Sequence, residues 1–400
     1  MNILYLCDEY PPCTHGGIGA VVQNLAHELV LKGHNIYVCG FYPYYRKASV
    51  FEDDFGVKVY RRFYGNWLLL NISKNRYLGR WINIKKEFNS YTEFLRQFIE
   101  NHKIEIIEIP DFNEVFRYTG PKFVKFPDFV VPTVIKLHGS FTFFTYLNSN
   151  IGFDGNIYEK ENYLIQNADL VLSISFFARD IVKKVFGYSR DIPVIYNGIS
   201  LGEANSYKED KNSRAVIFAG TLAEKKGILS LVKAWVNVIE KIPNAKLFLY
   251  GKGDDITIHK INELISDKIQ GTIELKGFID RGRLNEIYSS ASCAIFPSYA
   301  ETFGMAPLES MKAGCPTIFT KRACGREIIT HGENGLLVDP DDLSEISDAI
   351  IFLLNDRSSA EILGLNGSKT VSDKFNISTI ADAHIKLYSD LINSRESLTL

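Results

Sequence analysis

Short apolar runs alternate with longer amphipathic stretches along almost the whole chain. The apolar runs have the length and β-branched content of buried strands, and the stretches between them repeat their apolar positions every three to four residues, as helices do. The first series consists of NILYLCD, NIYVCGFY, IEIIEIP, PTVIKLHG and DLVLSIS. A second series begins at AVIFAGTL and includes AKLFLYGKG, TIELKGF, CAIFPS, PTIFT and GLLVD. Alternating strands and helices predict parallel sheets covered by helices, so we expect an α/β fold with two Rossmann-like domains.

A polar segment without either period separates the two series. It reads YNGISLGEANSYKEDKNSR and has the composition of a linker, which puts the domain boundary near residue 200. We therefore expect one domain at 1–199 and a second at 200–374. Residues 375–400 have helical periodicity but no strand to accompany, and we expect them to form a C-terminal helix that packs back across the domain junction.

The composition excludes several functional classes. The 400 residues are 46% hydrophobic, which suits two domains of ordinary size. The 45 Lys and Arg nearly balance the 47 Asp and Glu, so the overall charge predicts no nucleic-acid partner. The six cysteines form no C-x-x-C pair, which favours a reducing compartment. The N-terminus lacks the pattern of a signal peptide and no run reaches the length of a membrane span, so we expect a cytoplasmic protein.

The segment ETFGMAPLESMKAGCP, residues 301–316, is the most informative about chemistry. Pro307 suits the first position of a helix and Gly314 suits the residue after its end, so a helix of about two turns is expected. The backbone N–H groups just before and in the first turn would lie at the positive end of that helix, where anions bind. These N–H groups belong to Gly304, Met305 and Ala306.

Two carboxylates flank this predicted anion site. Glu301 lies in the loop before the N–H donors, and Glu309 follows them in the helix. Carboxylates on both sides of a bound phosphate could accept hydrogen bonds from hydroxyl groups at both of its ends. This arrangement indicates a nucleotide sugar as the ligand.

Glycine-rich and basic loops follow other predicted strands, at the edge where ligands of parallel sheets bind. In CDEYPPCTHGGIGA, Gly17 and Gly19 would let backbone donors approach an anion closely, and a simple glycine-rich turn stays open as the alternative. In GTLAEKKG, Lys226 could stabilise the negative charge of a leaving diphosphate, whereas a solvated position is the favoured interpretation for Lys225. His138 ends the strand PTVIKLHG, where a functional and a structural role both stay open.

Motifs for dinucleotides and for metals are absent or weak. Val22 stands where a G-x-G-x-x-G fingerprint requires its third glycine, which argues against a dehydrogenase. The acidic pairs lie in predicted turns, where Asp341 or Asp342 would cap the following helix. These pairs are Asp53 with Asp54, Asp254 with Asp255, and the D-P-D-D run at 339–342. We expect no catalytic metal and no cofactor.

The interval 58–86 interleaves basic and aromatic side chains, including Arg61, Arg62, Trp67, Lys74 and Trp81. Such a pattern can dock on an anionic membrane surface or a lipid diphosphate, which would place the protein peripherally at the inner face of the membrane. A solvated helix over an ordinary core is the favoured alternative.

The order of these motifs resembles that of the GT-B glycosyltransferases of family four, the retaining enzymes of the glycosyl transferases group 1 type. The resemblance covers nearly the whole chain, and its most specific part is CAIFPSYAETFGMAPLESMKAGCPTI, which matches the family's Glu-x7-Glu helix. Further matches are GGIG at 16–19, LHG at 137–139, YNGI at 196–199 and GTLAEKKG. The resemblance implies two Rossmann-like domains facing each other across a cleft, with acceptor binding in the first and nucleotide-sugar binding in the second.

Site residues follow from this resemblance position by position. Glu309 would bind the ribose hydroxyls, Glu301 the hydroxyls of the donor sugar and Lys226 the diphosphate, while His138 would lie beside the reacting carbon. His138, Glu301 and Lys226 are therefore the expected catalytic residues. The expected donor-binding residues are Gly17, Gly19, Gly220, Thr221, Lys226, Gly251, Gly277, Phe278, Glu301, Phe303, Gly304, Met305, Ala306 and Glu309.

The implied activity is metal-independent transfer of a sugar, with retention of its anomeric configuration, from a nucleotide diphosphate to a saccharide or lipid-linked acceptor in surface polysaccharide or glycan biosynthesis. A nucleotide-sugar epimerase on the same scaffold and an inactive nucleotide-sugar-binding subunit stay open as alternatives. One position departs from the family: Thr221 stands where its members commonly have arginine. Lys226 would have to suffice, or a basic residue such as Arg281, Arg322 or Arg326 would have to substitute.

Overall fold

The computed structural model describes residues 1–12, 17–43, 50–64, 76–113, 129–148, 154–202 and 214–399. The chain divides into two units, one made of 1–198 together with 377–400 and the other of 199–376. The chain thus enters the second unit once and returns to the first before its last helix.

The first unit is built on a mostly parallel sheet. Its described strands are β1 Asn2–Leu6, β2 Asn35–Pro43, β3 Val50–Asp54, β4 Val57–Tyr64, β5 Ile106–Pro110, β6 Thr133–Leu137 and β7 Leu170–Ser173, in the order β3-β4-β2-β1-β5-β6-β7. The described helices around it are α1 Ile18–Leu31, α2 Arg76–His102, α3 Phe141–Leu147, α4 Gly155–Asn167 and α5 Phe176–Phe186, together with the C-terminal helix Ile377–Thr399.

The edge strand β3 departs from the parallel arrangement that the sequence predicts. It pairs with β4 in antiparallel register, with Asp54 opposite Val57. Phe55 and Gly56 form the tight connection between them with φ values of 51° and 90°, and the Gly56 N–H donates to Asp53 Oδ1 at 2.9 Å. Residues 57–64 therefore lie in a strand, so the first part of the interval 58–86 is not helical.

Alternating side chains of β1 place one hydrophobic core on each face of the first sheet. Leu4 and Leu6 belong to a core shared with α2 to α5, whereas Ile3 and Tyr5 belong to a core shared with α1 and the C-terminal helix. Both faces of a parallel strand are buried, which explains the continuous apolar run at the N-terminus. The C-terminal helix completes the core of the first unit.

The second unit is built on a parallel sheet. Its described strands are β8 Ala215–Ala219, β9 Lys246–Tyr250, β10 Ile273–Gly277, β11 Cys293–Phe296, β12 Thr317–Thr320 and β13 Leu336–Val338, in the order β10-β9-β8-β11-β12-β13. The described helices are α6 Ile228–Lys241, α7 Asp255–Leu264, α8 Arg281–Ser290, α9 Met305–Lys312, α10 Gly325–Ile328, α11 Leu343–Asn355 and α12 Arg357–Lys374. The predicted α/β fold with two Rossmann-like domains is confirmed.

Parallel pairing decides where the motif loops of the second unit lie. The strand β8 pairs in parallel with both β9 and β11, and β9 pairs in parallel with β10. The loops that follow these strands therefore leave the sheet at the same edge, where ligands of open α/β sheets bind. That edge carries Gly220, Gly251, Gly277 and the segment that starts at Pro297.

Candidate functional site

The helix α9 begins at a glycine and has no side-chain cap. Gly304 is its N-cap residue and adopts the left-handed conformation with a φ of 92°. A Cβ at this position would lie 2.8 Å from the ring of Phe319, so both the conformation and the space require glycine. Pro307 occupies the third helical position, not the first as predicted, while Gly314 follows the helix with a φ of 73° as expected.

Three helices of the motif loops share this absence of a cap. The helices α1, α6 and α9 start after Gly17, Gly227 and Gly304, none of which has a side chain to accept from the first turn. Most other described helices satisfy those N–H groups internally. Their capping side chains are Ser140, Asp154, Ser175, Asp254, Asp280, Asp342 and Asp356. The helices α6 and α9 thus offer their positive ends to a ligand, whereas in α1 the Glu9 carboxylate already accepts from the Gly19 N–H.

Lys226 and Glu301 lie side by side, as the predicted site requires. The Lys226 ammonium group donates to Glu301 Oε2, with 25% of the lysine side chain and 15% of the glutamate side chain exposed. The pair depends on two loops that touch through their backbones. Lys225 O accepts from Tyr299 N at 2.9 Å, and a Cβ on Gly227 would lie 1.8 Å from Pro297 O. The structure therefore brings together the loop after β8 and the loop after β11.

Tyr299 holds the loop that carries Glu301 through hydrogen bonds of its hydroxyl group, a role that the sequence did not reveal. Its hydroxyl lies 2.9 Å from Ser230 Oγ and donates to Asp341 Oδ1 at 2.9 Å. Arg322 donates to Asp339 Oδ1 at 2.6 Å and to Asp341 Oδ2 at 2.5 Å. These bonds tie the loops after β11, β12 and β13 together. The only hint in the sequence is the tyrosine two residues before Glu301.

Three arginines are candidate replacements for the arginine that Thr221 displaces, and their described side chains have different partners. Arg322 pairs with two aspartates and its guanidinium carbon lies 5.5 Å from the centre of the Tyr299 ring, so its part in the diphosphate site stays a prediction that requires these ion pairs to be exchanged. Arg326 donates to the backbone oxygen of Lys321 at 3.3 Å. The side chain of Arg281 lies outside the described residues. Thr221 itself is exposed at the start of the loop after β8.

The glycines of the second unit meet at the carboxyl edge of the sheet. A Cβ on Gly251 would lie 1.8 Å from Gly220 O, and the Gly251 N–H donates to Gly277 O at 2.8 Å. The three glycines have positive φ values of 152° for Gly220, 143° for Gly251 and 69° for Gly277. Phe278, the next residue, is 71% exposed, and the Lys252 ammonium lies 5.3 Å from the centre of its ring. Phe278 is thus accessible for stacking on a flat ligand group.

The remaining predicted residues around α9 fall into two classes. Met305, Ala306 and Glu309 are half-buried in the first two turns. The ring of Phe303, in contrast, is 2% exposed and packs against Phe375 with ring centres 5.8 Å apart. The expectation that Phe303 binds the donor is therefore wrong for its side chain, because the ring fills the core beneath the helix.

In the first unit, Gly17 and Gly19 have different structural reasons to be glycine. A Cβ on Gly17 would meet nothing within 4 Å, whereas a Cβ on Gly19 would lie 1.7 Å from Glu9 O. Gly19 is thus required by packing, and Gly17 leaves open space in front of α1. Burial, together with the nearby Asp8, raises the pKa of Glu9 to about 7, and its Oε2 is buried without a hydrogen-bond partner. The Glu9 carboxylate also accepts a hydrogen bond from the Gly19 N–H in the first turn of α1.

His138 is buried at the carboxyl end of β6. It is 7% exposed, and its Nε2 has no hydrogen-bond partner. Burial, with a further contribution from the Lys136 ammonium, lowers the pKa of His138 well below its ordinary value. The imidazole is therefore neutral at pH 7. Its backbone N–H donates to Asp111 Oδ1 at 2.7 Å.

The basic and aromatic interval 58–86 lies only partly within the described residues. Trp67 and Lys74 fall outside them, as does the side chain of Trp81. Arg61 is 9% exposed and donates to Tyr10 O at 2.8 Å, so it is not a surface cation as a membrane-docking site would need. Over the ranges that the structure describes, no helix is both long and apolar enough to cross a membrane.

Two family models match this chain in succession. The model described as Glycosyltransferase Family 4 matches residues 15–203, and that described as Glycosyl transferases group 1 matches residues 203–370. Among curated proteins, the chain is similar to an uncharacterized glycosyltransferase of Methanocaldococcus jannaschii, with 26% identity over 97% of this chain and 98% of that protein.

Solved structures share the whole fold. The sucrose-phosphate synthase from Thermosynechococcus elongatus superposes with a TM-score of 0.74 and 19% identity, covering 98% of this chain and 100% of that one. The Anabaena protein Alr3699/HepE, solved in complex with UDP and glucose, superposes with a TM-score of 0.72 and 17% identity, covering 97% and 99%. At these identities the likeness concerns the fold, which is the GT-B fold.

Proposed function

Because the chain belongs to the glycosyl transferases group 1 family of GT-B glycosyltransferases, we propose that it is a retaining, metal-independent transferase that moves a sugar from a nucleotide diphosphate to a saccharide or lipid-linked acceptor. The observation that carries the proposal is the contact between Lys226 and Glu301 beside the uncapped start of α9. A cation, a carboxylate and free helix N–H groups are the partners that a sugar diphosphate needs.

Each residue then has a distinct task. The first-turn N–H groups of α9 and the Lys226 ammonium bind the diphosphate, and Glu301 accepts hydrogen bonds from hydroxyls of the donor sugar. Glu309 binds the ribose. Gly17 is kept as a donor-binding residue, because a Cβ there would meet nothing within 4 Å and the space before α1 is open. Neutral His138 lies beside the reacting carbon of the sugar, where it can form a hydrogen bond without adding positive charge.

The reaction needs no protein base in this scheme. The bond between the anomeric carbon and the β-phosphate oxygen breaks, and its electron pair stays on that oxygen. The acceptor oxygen bonds to the carbon on the same face, and its proton passes to the released phosphate oxygen. Lys226 and the helix N–H groups stabilise the negative charge that grows on the diphosphate. Stabilisation by these groups takes the place that a divalent cation would otherwise fill.

Uridine diphosphate sugars are the first donors to test. The support is the Anabaena protein of the same fold, whose structure contains UDP and glucose. Stacking of the exposed Phe278 ring on a base would be compatible with uracil. The acceptor class rests on the family alone, and the proposed role in surface polysaccharide or glycan biosynthesis follows from it.

The purified chain should be incubated with UDP-glucose, UDP-galactose or UDP-N-acetylglucosamine and a panel of saccharide and lipid-linked acceptors. We expect acceptor-dependent release of UDP that persists in excess EDTA, and an α-linked product by NMR. Conversion of the donor to another sugar nucleotide without acceptor would indicate the epimerase instead. Binding of UDP by calorimetry with no turnover of any donor would indicate the inactive subunit.

A further inference from the structure

The turn that carries His138 is held by a buried carboxylate from the neighbouring strand. Asp111 follows β5 and is 2% exposed. Its Oδ1 accepts from the His138 N–H at 2.7 Å, and its Oδ2 accepts from the Gly139 N–H at 3.2 Å. Gly139 has a φ of 106°, so the chain reverses sharply here. Asp111 thus bonds to the two successive N–H groups at which the strand leaves the sheet.

A second buried carboxylate continues this arrangement into α3. Glu161, from α4, is 1% exposed and accepts from Phe141 N at 2.9 Å through Oε1 and from Thr142 N at 3.0 Å through Oε2. The Ser140 hydroxyl accepts from Phe143 N at 3.2 Å. The protein itself therefore occupies the N-terminal donors of α3, whereas α6 and α9 start at glycines without a side-chain cap. An anion has no place at this turn.

Burying the two ionisable groups Asp111 and Glu161 at this turn costs free energy of folding. Burial raises the pKa of Asp111 to about 7 and also raises the pKa of Glu161, and the negative charge of Glu161 adds to the shift at Asp111. A fold that needed only stability could close this turn with neutral caps, as Ser175 does at α5. Each carboxyl group here accepts from two backbone N–H groups, so the pair fixes more of the backbone than a single hydroxyl cap does.

What the two carboxylates fix is the place of the imidazole. The His138 ring is buried and its Nε2 has no partner, so nothing at that nitrogen holds the ring in place. Its position depends on its own backbone, whose N–H bonds to Asp111, and on the turn that follows, where the Phe141 and Thr142 N–H groups bond to Glu161. We propose that Asp111 and Glu161 are positioning residues that hold the His138 turn in the geometry needed for sugar transfer. This inference rests on the proposed function of His138.

The test compares four full-length proteins: the parent, Asp111→Asn, His138→Ala and the double variant. Asparagine keeps the shape of aspartate but can accept with only one side-chain oxygen. We expect Asp111→Asn to lower kcat by about tenfold to a hundredfold, since misplacing a reacting group by about 1 Å has effects of that size, and to leave the donor KM within threefold. The double variant should be no slower than His138→Ala, because Asp111 acts through that residue.

Hydrogen exchange tests the hydrogen bonds of Asp111 and Glu161 to the His138 turn without relying on activity. Amides of residues 138–142 should exchange at least about tenfold faster in Asp111→Asn and in Glu161→Gln, as expected for the loss of a buried hydrogen bond to a carboxyl oxygen. Asp169→Asn is the matched control, because Asp169 Oδ2 accepts from Thr133 N at 2.8 Å at the opposite end of the same strand β6. That variant should leave the exchange of residues 138–142 and kcat unchanged.

The outcomes separate the inference from the function on which it rests. Unchanged exchange in both carboxylate variants, or losses of kcat that multiply in the double variant, would overturn the positioning role while sugar transfer by the parent stands. A His138→Ala variant as fast as the parent would also overturn it. A parent that transfers no sugar would contradict the proposed function. Hydrogen exchange of residues 138–142 would still decide whether Asp111 and Glu161 hold the backbone of this turn.

Discussion

The ammonium group of Lys226 lies against the carboxylate of Glu301, although 75 positions separate them in the chain. The ammonium and the carboxylate form an ion pair, and both side chains are largely removed from water. A bound diphosphate would offer Lys226 a second anionic partner and would leave Glu301 facing the sugar hydroxyls. In the proposed function, the pair would thus be ready for a ligand that carries phosphate and hydroxyl groups together.

Replacing Lys226 by alanine should lower kcat by roughly a hundredfold or more, the usual scale for removing one group that stabilises charge developing in the transition state. The adjacent Lys225, whose side chain is exposed, is the matched control. Lys225→Ala should stay within about threefold of the parent. Steady-state rates at saturating donor check both values, and a Lys226→Ala enzyme within threefold of the parent would contradict the assigned role.

Glu301→Gln should separate recognition of the sugar from recognition of the diphosphate. Removing the carboxylate leaves Lys226 without its partner, so the affinity for UDP alone should be unchanged or higher. Turnover of the sugar nucleotide should fall by at least about tenfold, because hydrogen bonds between hydroxyls and a charged acceptor are lost. Calorimetry with UDP and kinetics with the sugar nucleotide measure the two effects. Weaker UDP binding with normal turnover would show that the roles are assigned wrongly.

The two glycines at the start of α1 should respond differently to alanine. Gly19→Ala forces a Cβ into the Glu9 carbonyl, so the free energy of unfolding should fall by about 1–3 kcal/mol or more. Gly17→Ala meets no neighbour within 4 Å and should leave that free energy within about 0.5 kcal/mol. It should nevertheless raise the donor KM about tenfold by blocking a backbone donor. Chemical denaturation and kinetics together test this, and an unchanged KM would remove Gly17 from the donor site.

Asp111 should make the stability of the fold depend on pH. Its pKa is raised from 3.8 to about 7, so between these values the folded state holds a proton that the unfolded chain has lost. The free energy of unfolding then falls as the pH rises from 4 to 7, and the contribution of this one group is on the order of 4 kcal/mol. Asp111→Asn should abolish that part of the decrease.

Denaturation of the parent and the variant at several pH values measures this difference directly. Contributions from Glu9 and from the buried histidines are common to both proteins and cancel in the comparison. Asp154→Asn is the control, because Asp154 caps α4 at an exposed position. Parallel stability curves for the parent and Asp111→Asn would show that Asp111 is ionised normally in the folded state.

Several features follow from the sequence because they depend on local patterns. The apolar run at 2–6 and the amphipathic stretch at 18–31 define a strand and a helix by their spacing alone. Parallel topology then puts every loop after a strand at one edge, so the sequence alone is enough to group Gly220, Gly251 and Gly277. The helix α9 is predicted in the same way, although it begins two residues before the start that Pro307 indicates.

The partner of each polar side chain was decided only by the tertiary structure. Arg322 pairs with Asp339 and Asp341, and Phe303 faces the core, although both stand in loops that the sequence marks as functional. Asp111 is buried beneath the His138 turn, which no spacing in the chain predicts. Secondary structure arises from residues a few positions apart, whereas hydrogen bonds, ion pairs and burial depend on distances through space between residues far apart in the chain.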